Sequence, residues 1–405
     1  GCTSLTDINL KSFDTSNVLD MYNMFTSCTD LTSLDLSNFN TQNVGDMEGM
    51  FMGNARLVSL NIKSFDTKQV SDMSTLFMNC YNLLELDLSS FNTGKVYNMS
   101  QMFSYASKIK SLDLSNFDTK NVVNMDRMFQ NMRELTQLNV KNFDTSKVES
   151  MQYMFVQCDS LTSLDLSSFV TSNVKDMYGM LFNCKQLKNL NIKNFETSKV
   201  AKMNSMFENC ESLENLDLSH FNTQSVITMS KMFTKCIKLQ TLDLSHFNTV
   251  NVIDMSGLFN GCSSLKSIDL SAFNTSNLQK MSNMFTECRS LTSIDVSKFN
   301  TEQVTEMSSL FSKCEKLQSV DISNFKTSKV KYLSSLFEHC TSLTRLEVSK
   351  LNLDSATSIS SMFYNCSSLR YIDVSKFDTR KVESMSGLFG LCSSLKSIDV
   401  SNFET

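Results

Sequence analysis

The sequence predicts an α/β solenoid of right-handed coils, and two observations predict it. Phenylalanines recur every 26 residues from Phe13 to Phe325, with Leu351 standing in once before Phe377 and Phe403. No insertion or deletion disturbs these 16 rungs, and a fixed period of that length marks a repeat architecture. Within each rung, counted from a cysteine column at position 0, apolar residues fall at positions 3, 6, 8 and 11. That is the L-x-x-L-x-L spacing of a leucine-rich repeat. Residues 1–405 are therefore expected to form one continuous stack of 26-residue rungs, in which each rung is stabilised by its neighbours.

The elements follow in order. Alternation at positions 5 to 9 predicts a short parallel strand, with Leu34 and Leu36 inward and Ser33, Asp35 and Ser37 outward. Phenylalanine at position 11 fills a corner. The F-[DN]-T that usually begins there reads as a turn closed by side-chain to backbone hydrogen bonds. An exposed threonine ladder that binds ice or a polymer is the sharper alternative, but each rung carries one such threonine rather than a T-x-T pair. V-x-x-M-x-x-M-F-x-x-C follows. From the first methionine its offsets are 0, 3, 4 and 7, which predicts one stripe of a two-turn helix. Asp20, Asp46, Asp72 and Asn98 occupy the N-cap position of that helix. Strands are expected on the concave face and short helices on the convex one. Proline is absent from all 405 residues, as expected where backbone ladders run on both sides of a rung.

Composition narrows the function classes. The net charge of -5 balances 37 basic against 42 acidic residues, too even for an electrostatic footprint on nucleic acid. No apolar run reaches the roughly 18 residues of a membrane span. The ends fall mid-rung, so the chain is expected to be a piece of a longer product.

All 13 cysteines lie in one column, without the close C-x2-4-C ligand sets that zinc requires. Asn54, Ala106 and Met132 occupy the same slot in other rungs, so free, buried, structural thiols are expected. The methionine and phenylalanine stripes read as core rather than as a lipid or cofactor groove. No metal or cofactor is expected. No G-x-S-x-G, phosphate loop, H-E-x-x-H or carboxylate pair appears, and almost nothing in the chain is singular, so catalysis is not expected.

The outward strand position 7 is the most suggestive polar column. Where it is Asn (Asn9, Asn61, Asn139, Asn191), position 9 is Lys (Lys11, Lys63, Lys141, Lys193). Where it is acidic, position 9 is Ser. The lysine rungs are expected to relieve carboxylate repulsion by pairing with Asp on adjacent rungs. The candidate binding stripe is Asp217, Asp243, Asp269, Asp295, Asp321, Glu347, Asp373 and Asp399, facing cations or a basic partner. The bland reading is a solvated face with each Asp bonded to the Ser two residues on, diluted by Lys266, Lys298, Lys350, Lys376 and Lys396. His220 and His246 read as surface residues, and the rung of Leu351, Leu353, Ala356 and Ile359 as a local irregularity.

The repeat carried by Ser33-Leu34-Asp35-Leu36-Ser37, Phe39-Asn40-Thr41, Val44, Met47 and Met50-Phe51 resembles that of the BspA-like leucine-rich repeat surface proteins. The resemblance covers the whole chain. It implies a secreted or cell-anchored microbial protein that adheres to host or matrix, with no catalytic residues. The expected partners are a protein or glycan, with no nucleic acid and no membrane insertion. The rival expectation is a structural subunit that stacks head to tail into an extracellular filament.

Overall fold

A computed structural model describes residues 1–404, in two compact units, Gly1–Lys199 and Val200–Thr405. Each unit is a stack of 26-residue rungs with leucine-rich-repeat strands. In the first unit the strands are β1 (Ser33–Asp35), β2 (Ser59–Asn61), β3 (Ser111–Asp113), β4 (Gln137–Asn139), β5 (Ser163–Asp165) and β6 (Asn189–Asn191). They form three parallel pairs, with Leu34 opposite Leu60, Leu112 opposite Leu138 and Leu164 opposite Leu190. The second unit has one such pair, β7 (Ser293–Ile294) with β8 (Ser319–Val320).

Paired strands in the first unit occur at each step from an Asp rung to an Asn rung, and at no other. The reason is a side-chain bond. Asn61 Nδ2 donates to Asp35 Oδ1 at 2.9 Å, and the Leu36 amide then reaches the Asn61 carbonyl, also at 2.9 Å. Asn139 and Asn191 likewise bond Asp113 and Asp165. Two stacked carboxylates repel instead, and the second unit stacks acidic residues on every rung from Asp217 onward; its single strand pair, at the Asp295–Asp321 step, is two residues long and stops short of the carboxylates.

The expected helices do not form. Among the described residues no segment is helical, and V-x-x-M-x-x-M-F-x-x-C is a run of turns. In the rung of Met73, Leu76 N–H bonds Met73 C=O and Cys80 N–H bonds Phe77 C=O, each closing a four-residue turn. The third residues of these turns, Thr75 and Asn79, have φ of 54° and 61°, the left-handed placement a type II turn requires. All 24 non-glycine residues with positive φ, and six glycines, occupy these two columns. The physical gain is between rungs. The amides of Met73, Thr75, Phe77 and Asn79 point along the stack to the carbonyls of Asn98, Ser100, Met102 and Ser104, at 3.1, 2.9, 2.9 and 2.8 Å. An α-helix would turn those same amides inward to carbonyls four residues back and leave the next rung unlinked. The would-be caps keep a local role: Asp46 Oδ1 accepts the Glu48 amide at 2.8 Å, and Asp72 Oδ1 the Ser74 amide at 2.8 Å.

Phenylalanine rings stack along the first unit in two columns. Stacked rings of the Phe51 column lie 5.7 Å apart from Phe51 to Phe103 and 5.3 Å from Phe129 to Phe155. In the strand-side column, Phe65 to Phe91 is 6.4 Å and Phe91 to Phe117 is 6.5 Å.

Three other columns stitch rungs together. Thr145 Oγ1 donates to the Val170 carbonyl at 2.8 Å and accepts the Val170 amide at 2.9 Å, and the same reciprocal pair recurs at Thr15, Thr41 and Thr67. These threonines are buried, so the column is internal mortar and not an exposed ladder. Asn38 Nδ2 bonds back to the Leu10 carbonyl, and His246 Nε2 lies 2.7 Å from the Leu218 carbonyl, so His246 is a rung-to-rung bridge.

The thiols do the same inside the core. Cys80 Sγ donates to the Phe51 carbonyl at 3.2 Å, and Cys158, Cys184, Cys236 and Cys262 repeat the contact one rung back. Asn54 takes the role with its amide, reaching Phe25 O at 2.8 Å. The slot therefore calls for a small donor as well as a filler; Ala106 and Met132 forgo it. All cysteines are free, and burial pushes the thiols of Cys80, Cys184, Cys262 and Cys314 up to about 12. Since the thiolate is the nucleophile, a disulfide-exchange reagent at pH 8 should modify Cys2 at once and Cys392 slowly. The eleven buried cysteines should react only after denaturant is added, as counted by mass spectrometry.

Candidate binding face

With the core columns occupied, the most regular polar column on the surface is that of the outward strand residues. The second unit places all eight predicted acidic residues in one such column. Each carboxylate accepts the amide two residues on: Ser219 on Asp217 at 3.0 Å, Ser245 on Asp243 at 3.0 Å, Ser271 on Asp269 at 2.8 Å. Ser297, Ser323, Ser349, Ser375 and Ser401 do so at 2.9 Å on Asp295, Asp321, Glu347, Asp373 and Asp399. These bonds are local to the strand end and so form at every rung with the acidic residue-x-Ser pattern.

The electrostatics contain two opposed effects. The Ser bonds hold every carboxyl of the stripe below its ordinary value, while the neighbouring carboxylate pushes back: Asp217 on Asp243, Asp243 on Asp269, Asp295 on Asp321, Asp399 on Asp373. The hydrogen bonds win, so the stripe is ionised at neutral pH. Lys298, Lys350 and Lys376 and the Arg345 guanidinium offset part of the charge. Seven of the eight are exposed and Asp373 is half-buried.

The first unit resolves the same repulsion differently. Lys63 Nζ lies 3.7 Å from Asp87, and Lys141 and Lys193 lower Asp113 and Asp165 after the Ser bonds do. The asymmetry predicts a gain for one substitution. Asp243→Asn gives Asp217 the amide donor that Asp35 has in Asn61. It should stabilise the second unit by about 0.2–1 kcal/mol, the worth of one cross-strand pair, read as a higher urea midpoint.

The Leu351 rung keeps its side chains in the core: Leu351, Leu353, Ala356 and Ile359 are all buried. Leu353 lacks the hydroxyl that Thr supplies elsewhere, so the corner stitch to Asp378 is missing. Among the described residues no group of three His, Cys, Asp or Glu is placed to hold a metal ion, and no helix is long and apolar enough to cross a membrane. Sequence reasoning passed over Tyr371, which stands 65% exposed on the strand face. The signal was available: position 5 in the second unit is Asn, Thr or Ser at every rung except Arg345 and Tyr371.

A family model described as "Mycoplasma protein of unknown function, DUF285" matches residues 1–112, 82–190, 108–215, 182–294, 208–320, 254–370 and 334–405. No curated protein matches. Among solved structures, a leucine-rich repeat protein from Bacteroides ovatus is 18% identical, with a TM-score of 0.51 over 94% of this chain and 82% of that one. A leucine rich cell surface protein from Faecalibacterium prausnitzii is 16% identical, with a TM-score of 0.38 over 78% of each chain.

Proposed function

From a chain that belongs to the DUF285 family and carries a BspA-like leucine-rich repeat, we propose a non-catalytic, surface-exposed binding protein that adheres to protein or glycan through its strand face. The observation that supports this is the acidic column of the second unit. Eight like charges stand on successive rungs, Asp217 to Asp399, although the first unit shows that Asn in the same column bonds the neighbouring carboxylate and that Lys two residues on can pair with one. Sequence that forgoes an available stabilising solution is expected where a surface serves recognition. The partner complementary to this face is cationic, a lysine- or arginine-rich protein segment. Its encounter is steered by charge and weakened by salt.

The test is binding of the purified chain to a panel of extracellular-matrix proteins and epithelial cells at two ionic strengths. The proposal expects saturable binding that falls with salt and that Asp269→Lys reduces several-fold. Binding no stronger than to a bovine serum albumin control, or unchanged in Asp269→Lys and in high salt, overturns it.

A further inference from the structure

One recess on the strand face is unlike the rest of the second unit. Tyr371, Asp373, Ser397 and Asp399 line it together with Ile372 and Ile398. Tyr371 is 65% exposed, while Ile372 is 2% exposed and forms an apolar floor. Asp373 and Asp399 are each fixed by a serine amide at 2.9 Å, so their orientation is set before any ligand arrives. Position 5 on the next rung is only Ser397, which leaves the face of the tyrosine uncovered along the stack. The recess measures about 240 Å³, below the roughly 300–1,000 Å³ of sites that enclose a drug-sized ligand. It suits a single ring.

We propose that this recess binds one pyranose unit of a glycan, the sugar lying against the Tyr371 ring and donating hydroxyls to Asp373 and Asp399. A sugar ring has an apolar C–H face and a polar rim of hydroxyl donors. The recess offers one exposed aromatic ring beside two ionised acceptors that are already oriented, the pairing of apolar body and few placed polar groups that fixes a small ligand. A basic side chain can also lie over a tyrosine face as a cation, so hexalysine is the competing probe in the test. The proposal rests on the binding role above and names the ligand class for this one site.

The experiment is saturation-transfer NMR of the whole chain with methyl β-D-galactopyranoside, methyl β-D-glucopyranoside and a hexalysine peptide. The variants are Tyr371→Ser, which installs the commonest residue of that column, and Asp373→Asn. Transfer to C–H protons of at least one glycoside, reduced at least five-fold in Tyr371→Ser with an unchanged circular dichroism spectrum, is the expected result. No transfer from either glycoside at 20 mM, or transfer equal in Tyr371→Ser, overturns the sugar assignment. Hexalysine binding without glycoside binding also overturns it while leaving the cationic-partner reading intact.

Discussion

Replacing Phe129 by alanine should lower the unfolding free energy by about 3–5 kcal/mol, the range for deleting a fully buried ring. Phe129 is 0% exposed and lies in an unbroken row, 5.8 Å from Phe103 and 5.3 Å from Phe155, with both pairs nearly parallel. The cavity therefore opens toward both neighbouring rungs. Neither can collapse into it, because the amides of Phe103 and Phe129 are bonded to Met128 and Met154. A Phe129→Leu variant should lose much less. Urea unfolding followed by circular dichroism distinguishes them; equal losses would mean the ring row is not a packed core.

The second large effect is at Thr145. Valine has nearly the same shape, so Thr145→Val removes a hydroxyl without leaving a void. It strands the amide and the carbonyl of Val170, which have Thr145 Oγ1 as donor and acceptor. Val170 is 41% exposed, so water partly replaces the lost bonds; at about 0.5–1.5 kcal/mol for each of the two, a total loss of about 1–3 kcal/mol is expected. Thr145→Ser keeps the hydroxyl and loses one buried methyl, which should cost about 0.8 kcal/mol. The converse applies at Leu353. Leu353→Thr alone restores the hydroxyl but leaves space beside Ala356. Only the pair Leu353→Thr with Ala356→Val recreates the ordinary corner, so the two substitutions should be non-additive. If Thr145→Val matches Thr145→Ser in urea midpoint, the threonine column contributes volume only.

Much of this was legible in the sequence. The 26-residue period located the rungs and the core columns, because burial against a neighbour repeats with the same register; among the described residues regular strand pairing forms at only eight rungs. The acidic column and its local serine bonds could also be read, since the partner is two residues away. The helix could not be excluded by its stripe. Offsets of 0, 3, 4 and 7 satisfy both a helix and two successive four-residue turns, as in Met73, Leu76, Phe77 and Cys80. The discriminating sign lay between the apolar residues. Gly49, Gly53, Gly179, Gly257, Gly261 and Gly387 fall in just two columns, and glycine marks a left-handed backbone. At Gly53 an added Cβ would lie 2.8 Å from Ser27 Oγ, so the position is crowded as well as left-handed. The role of Thr145 was hidden for another reason. Its partner is 25 residues away, on the next rung, and local motif reasoning looks only within a turn.

The account depends on amides of the M-x-x-M-F segment crossing between rungs, and scalar couplings through hydrogen bonds report that directly. In a perdeuterated sample, the Phe103 nitrogen should couple to the Met128 carbonyl carbon, and the Phe129 nitrogen to that of Met154. Couplings instead to Met99 and Met125, four residues back, would show helices and contradict the architecture described.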